Sequence, residues 1–321
     1  DAGGALRVGP QSAGADPGPI CYGLPGAQEV TVTDAHLMLG RLDSSHFLGG
    51  RMVLDVERTT ARFQELARRL SLPVEAAAWG IVRVANSNME RAIRTISVER
   101  GHDPRRFALV AFGGAGPLHA CELAAALGIP RVLLPPSPGV LSALGMVLAD
   151  VVKDYSQTVM LPARDLLPGT LHRLLAPLLD RARADLRAEG LADEGIELRP
   201  ALDMRYVGQS FELTIEAVGD EGAELVQAFH EAHRRRFAYA SEGEPVEVVN
   251  VRVQAVGHTA KPRLAPRAPG AADPRAAHAG YKPVYFAAGD SPRAARPMFA
   301  ALYERSRLEP GNIVVGPAII W

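Results

Sequence analysis

An α/β fold followed by a second, α+β domain is what this sequence predicts, on three observations. The chain has 321 residues, and single hydrophobic cores stop growing at about 250–300 residues. Residues 107–149 run strand, glycine turn, helix, strand, helix, the order of a largely parallel sheet with covered faces. Periodicity then breaks around Asp154–Pro168, and helical and strand-like segments beyond it alternate as in antiparallel α+β domains. The expected division is 1–155 and 156–321.

Residues 1–50 are rich in Gly, Pro and Asp, centred on Gly9-Pro10-Gln11-Ser12-Ala13-Gly14-Ala15-Asp16-Pro17-Gly18-Pro19. Proline removes donors and glycine tolerates unusual dihedrals, so a long loop is expected, either functional or disordered. Thr33-Asp34 then precedes a short helix through Gly40, with Asp34 as its cap. A helix follows from Asp55 to Leu70, and another from Val74 to Arg100 between Pro73 and Gly101. In the second, Trp79, Val82, Met89, Ile93 and Ile96 form a stripe that Asn86 interrupts. The run Phe107–Phe112 is a buried strand by length and apolarity, and Gly113-Gly114-Ala115-Gly116 turns it into a helix ending at Gly128. A short strand at Val132–Leu134 and a helix from Ser137 to Ala149 complete this part. In the second half, helices are expected at Leu171–Glu189 and Ala223–Phe237, and strands at Leu198–Ile215 and Val246–Val256. Ala260–His278 reads as a linker, and the end as short strands around turns such as Glu309-Pro310-Gly311-Asn312.

Composition excludes several function classes. A formal net charge of -1 creates no field for nucleic acid or an anionic membrane. Cys21 and Cys121 stand far apart with no C-x-x-C or Cys/His cluster, so a zinc site is not expected and both thiols are read as reduced and cytoplasmic. No apolar run approaches the ~20 residues of a bilayer span. Lysine occurs only at 153, 261 and 282, which with the many Ala, Gly and Arg residues suggests a GC-rich bacterial gene.

The strongest local motif is Phe112-Gly113-Gly114-Ala115-Gly116-Pro117-Leu118-His119. A glycine turn between a buried strand and a helix bares backbone N–H groups where anions are favoured, and lets a flat ring approach the main chain. It lacks the Lys-Ser/Thr of a phosphate-binding P-loop and the spacing of a dinucleotide fingerprint. Taken alone, the motif reads first as a tight packing turn. His119, in the first turn of the helix, is a candidate for phosphate contact or proton transfer, or a hydrogen-bonded structural residue. Asp16 admits a general base, a ligand of magnesium-bound water, or an Asx turn. Asn86 is either a satisfied core amide or a ligand contact.

Six blocks, in order, resemble the N-methylhydantoinase A/5-oxoprolinase/acetone carboxylase β family. They are Gly9–Gly23, Thr31–Leu42, Val98–Arg105, Ala111–Ala120, Pro138–Gly145 and Met204–Gln209. The resemblance implies an actin-like ATPase (ribonuclease H-like) second lobe, followed by an α+β C-terminal domain. It places Gly113, Gly114 and Gly116 against the adenosine of ATP and Asn86 on the helix bordering the adenine. Asp16 and His119 are then the candidate catalytic residues. The implied activity is ATP-driven opening of a cyclic amide or imide by phosphorylation of the amide oxygen, with Mg2+ and a hydantoinase B-type subunit or domain as partner in an oligomeric assembly. A carboxylase β-type subunit and a non-catalytic nucleotide-binding scaffold are the alternatives. The family's first-lobe D-x-G-G-T motif is absent; Asp1-Ala2-Gly3-Gly4 only echoes it. The expectation is therefore a fragment cut at both ends, without the main Mg-phosphate contacts and inactive by itself.

Overall fold

A computed structural model describes every residue except 1, 2, 4, 218, 220, 221, 262–264, 289 and 290, and for 288 and 291–294 the backbone alone. The Asp1–Gly4 echo thus lies outside the described residues but for Gly3.

The contacts gather the chain into two compact units, Asp1–Ser142 with Ala265–Trp321, and Ala143–Leu264. In chain order the first unit contributes α1 (Val32–Met38), α2 (Val56–Leu70), α3 (Val74–Ile96), β1 (Ala108–Val110), α4 (Gly116–Leu127) and β2 (Arg131–Leu133). Helix α5 (Leu141–Leu148) follows, and the chain then builds the second unit from β3 (Val151–Pro162), α6 (Thr170–Ala188), β4 (Ile196–Tyr206), β5 (Leu213–Glu216), α7 (Gly222–Phe237) and β6 (Val246–Gly257). Its last part, β7 (His278–Ala288), β8 (Ser291–Tyr303) and β9 (Ala318–Ile320), returns to the first unit.

These units do not follow the expected cut at 155/156. Residue 155 lies inside β3, which the broken periodicity of 154–168 conceals. Its inner positions are only half-buried and include Lys153, its exposed ones carry Asp154, Ser156 and Gln157, and its register slips between Thr158 and Leu161. Such an edge strand has no clean alternation to read.

In the first unit, β1 and β2 pair in parallel, Leu109 opposite Val132. Helix α2 is capped by Asp55, whose side chain accepts from Arg58 N, and it buries Phe63 completely against a core with Ala78, Trp79 and Val82 of α3. Burying one such phenyl ring stabilises the fold by roughly 1.5–3 kcal/mol. Helix α3 ends at Ile96, before the expected Arg100. A single 3₁₀ turn at Val98–Arg100 and a left-handed Gly101 (φ +81°) redirect the chain. It packs against α1, α2, α4 and β8. Strands β7 and β8 are a long antiparallel hairpin rather than the short strands expected, and β9 joins β8 in parallel. The expected turn is present: Asn312 N donates to Glu309 O, with Gly311 at φ +98°.

The second unit is a four-stranded antiparallel sheet, order β3-β6-β4-β5, with α6 on β3, β4 and β6 and α7 on β5. Val248, Val251 and Val253 of β6, Leu202 and Met204 of β4, and Leu186 of α6 are fully buried. The single strand expected over 198–215 is two, because Gly208 at φ +87° opens a turn between them.

Candidate functional site

The Gly/Pro loop is an ordered structure held from one point. Asp34 is fully buried and accepts from Ile20 N (3.2 Å), Cys21 N (2.8 Å), Thr31 N (2.9 Å) and Thr31 Oγ1 (2.8 Å). Thr31, not Asp34, is the cap of α1. Its hydroxyl accepts from Asp34 N, and Asp34 returns the bond to Thr31 N as a capping box. Gly18 (φ +68°) allows the sharp return of the loop, because a Cβ there would stand 2.7 Å from Ala15 O. Asp16 lies on the exposed crest of this loop.

The glycine loop leaves β1 through Ala111, whose N–H donates to Leu133 O, and Gly113 N donates to Pro138 O at 2.7 Å. Gly113 has φ +82°, a conformation that favours glycine. A Cβ built at Gly113, Gly114 or Gly116 meets nothing within 4 Å, so the bare main chain faces open space. Helix α4 begins at Gly116 with no side-chain cap. Open backbone thus stands at the N-terminus of α4.

Behind the loop, α4 carries His119 and Glu122 on one face, three residues apart. His119 Nδ1 lies 2.7 Å from Asn86 Oδ1, and the Asn86 amide nitrogen donates to Glu122 Oε2 at 2.6 Å. Arg41 Nη2 is 2.5 Å from Glu122 Oε1, and its Nε donates to Tyr285 O. The Arg41 guanidinium also sits over the Trp79 and Phe286 rings, at 5.1 and 5.9 Å from their centroids. On the far side, His36 Nε2 is 3.2 Å from His119 Nε2. Five side chains from α1, α3, α4 and the segment after α1 thus form one polar chain inside an apolar unit. Burial, then the neighbouring His119 and Arg41, push the His36 imidazole down to about 2. Burial likewise lowers His119, with Glu122 opposing and Arg41 adding to the shift. Both rings are neutral at pH 7.

The structure therefore joins Asn86 to His119 directly and sets both beside the helix of Gly113, Gly114 and Gly116. Asp16 makes no bond with any of them. Both nitrogens of His119 are engaged inside the protein, and the ring is 5% exposed. Sequence reasoning missed His36, Arg41 and Glu122. Only the i, i+3 spacing of His119 and Glu122 was available as a signal; Glu122 meets Asn86 across 36 residues, and the contacts of His36 and Arg41 cross 81 to 244. Among the described residues, no group of three or more His, Cys, Asp or Glu side chains is placed to hold a metal ion, and no helix is long and apolar enough to cross a membrane.

Residues 1–155 match the hydantoinase/oxoprolinase family model, and residues 167–321 match the hydantoinase/oxoprolinase C-terminal domain. The chain belongs to the hydantoinase/oxoprolinase family. Caprolactamase subunit alpha of Pseudomonas jessenii is 37% identical over 330 residues, covering 99% of this chain and 46% of the relative. 5-Oxoprolinase 1 of Arabidopsis thaliana is 34% identical over 341 residues, covering 99% of this chain and 26% of the relative. Among solved structures, nucleotide-free acetone carboxylase superposes with TM-score 0.85 at 27% identity, over 99% of this chain and 46% of that one. The ATP-dependent caprolactamase of Pseudomonas jessenii superposes with TM-score 0.72 at 36% identity, over 100% and 47%. The chain spans about half the length, or less, of these family members. Every candidate residue, from Asp16 to Glu122, falls within the first family match.

Proposed function

We propose that this chain is the second, nucleotide-facing lobe of an actin-like ATPase core, with its C-terminal α+β domain, in the ATP-dependent subunit of a cyclic amide or imide hydrolase. The observation that carries the reading is the open glycine loop at the uncapped start of α4, in a family whose characterised members include 5-oxoprolinases and a caprolactamase. Gly113, Gly114 and Gly116 hold the adenosine side of ATP, and Asn86 borders it. When bound, ATP would supply a phosphoryl group to the oxygen of an unreactive lactam, which makes the ring carbon a better electrophile for water, with the C–N bond as the one that breaks. His119 is here a positioning residue for Asn86, since both its nitrogens are taken. Asp16, exposed on its loop, is the group that takes a proton from attacking water. Mg2+ and its ligands belong to a preceding lobe, in a longer protein completed by a B-type subunit. Support for that preceding lobe comes from the parallel β1–β2 pair. Parallel sheets are covered on both faces and extend beyond two strands, yet Val110, Phe112 and Leu133 are 46%, 51% and 58% exposed.

A carboxylase subunit is the second reading, favoured by the higher TM-score with acetone carboxylase. Phosphate release by the full-length protein with its B-type partner separates them, with hydantoin, 5-oxoproline, caprolactam and acetone compared. Release stimulated by none of the four would sink both. Gly114→Val tests the loop: Gly114 has ordinary φ and open space, so the fold persists while ATP binding weakens. Unchanged ATP affinity would remove the loop from the site.

A further inference from the structure

The polar chain of the first unit has a direction, and a single residue sets it. A carboxylate accepts hydrogen bonds and donates none. With Arg41 on one oxygen of Glu122, the other can only receive the Asn86 amide nitrogen. The amide oxygen therefore faces His119 Nδ1, and that ring nitrogen carries the proton. A neutral imidazole has one N–H, so His119 Nε2 is a bare acceptor. His36 Nε2 must then donate to it across 3.2 Å. The chain ends on His36 Nδ1, a buried lone pair that no donor among the described residues satisfies.

We propose that Glu122, held by Arg41, is a positioning residue that fixes the face of the Asn86 amide and, through it, the tautomers of His119 and His36. Its consequence for ligand binding rests on the reading of the glycine loop as a nucleotide contact; the tautomers themselves do not. The polar chain imposes a demand that packing alone would not. In Glu122→Gln, the Arg41 guanidinium claims the new side chain's oxygen, which turns the glutamine NH2 toward Asn86. The Asn86 amide then rotates and presents its own NH2 to His119. His119 Nδ1 becomes the acceptor and Nε2 the donor, and His36 has to move its proton from Nε2 to Nδ1. One isosteric change inverts three successive hydrogen bonds.

The experiment is 15N NMR of histidine-labelled full-length protein at pH 7.5, with resonances assigned by single His→Gln replacements. The native protein is expected to show His119 protonated at Nδ1 and unprotonated at Nε2, and His36 the reverse. Glu122→Gln is expected to exchange both patterns. A charged or Nε2-protonated His119 in the native protein overturns the proposal, and this result needs no variant to fold. Unchanged tautomers in folded Glu122→Gln overturn it equally. ATP affinity in the same samples separates the two readings. Inversion with binding weakened on the order of fivefold, the net worth of one misdirected hydrogen bond, supports both. Inversion with unchanged affinity supports the positioning role and counts against Asn86 as a nucleotide contact.

Discussion

Replacing Asp34 by Asn changes one heavy atom and should loosen the whole family-signature loop. Four donors converge on this fully buried carboxylate, three on Oδ2 and one, from Cys21 N, on Oδ1. The amide oxygen can take the Oδ2 position and keep Ile20 N, Thr31 N and Thr31 Oγ1. The amide nitrogen must then face Cys21 N, donor against donor, in a place where Cys21 is completely buried. Hydrogen bonds to a charged group are worth about 1.5–3 kcal/mol, and a buried donor left unmade costs about 1–3 kcal/mol. With the neighbours free to adjust by a few tenths of an ångström, a loss of roughly 2–4 kcal/mol is expected. Urea unfolding followed by tryptophan fluorescence reads it, because Trp79 lies in the adjoining core cluster. A loss below about 0.5 kcal/mol, the usual scale of surface changes, would show that Asp34 is not the clasp described.

Two further outcomes follow from burial. The Cys21 thiol is pushed up, first by burial and then by the Asp34 carboxylate, whereas Cys121 is exposed. A thiol reagent on the native chain should therefore label Cys121 quickly and Cys21 only on unfolding, and fast labelling of both would contradict the packing. The second concerns acid. The folded His36 and His119 have lowered affinities for protons, while the unfolded rings titrate near 6.5. The unfolded state then binds more protons below about pH 6.5, so their contribution is complete above that value and falls with pH, for His36 down to about 2. The limiting slope is about 1.4 kcal/mol per pH unit for each histidine. Urea midpoints from pH 7.5 to 5 should decline less in His36→Gln than in the native chain; parallel curves would refute the assignment.

What the sequence made legible was local. Pro73 and Gly101 bracketed α3, and the run from Phe107 through Gly116 displayed a strand, a turn and a helix. The signature blocks identified the family because they are contiguous stretches. Asn86 stood out because a polar residue broke an apolar stripe, and its partners proved to be Glu122 and His119. Those partners were hidden for a physical reason: nothing in a helix's own period says what another helix, 33 or 36 residues away, will present to it. Strand β3 was hidden because an edge strand with half-buried inner positions resembles a loop. The return of Ala265–Trp321 to the first unit was hidden because it is a property of topology, and periodicity carries no information on which sheet a strand joins.

That return gives the molecule an order of assembly. Residues 39–42 are stitched to 282–285: Tyr285 N donates to Leu39 O, Arg41 Nε to Tyr285 O, and Lys282 Nζ to Leu42 O. Gly40 lies so near that a Cβ would stand 2.7 Å from Pro283 O. A ribosome making this protein delivers the entire inserted unit before the second half of the seam exists. The insert closes on itself where Val151 meets Gly257, which shortens the loop that the seam has to span. The second unit is thus a tether as well as a domain: it carries the chain out of the first unit and brings it back with its two ends paired.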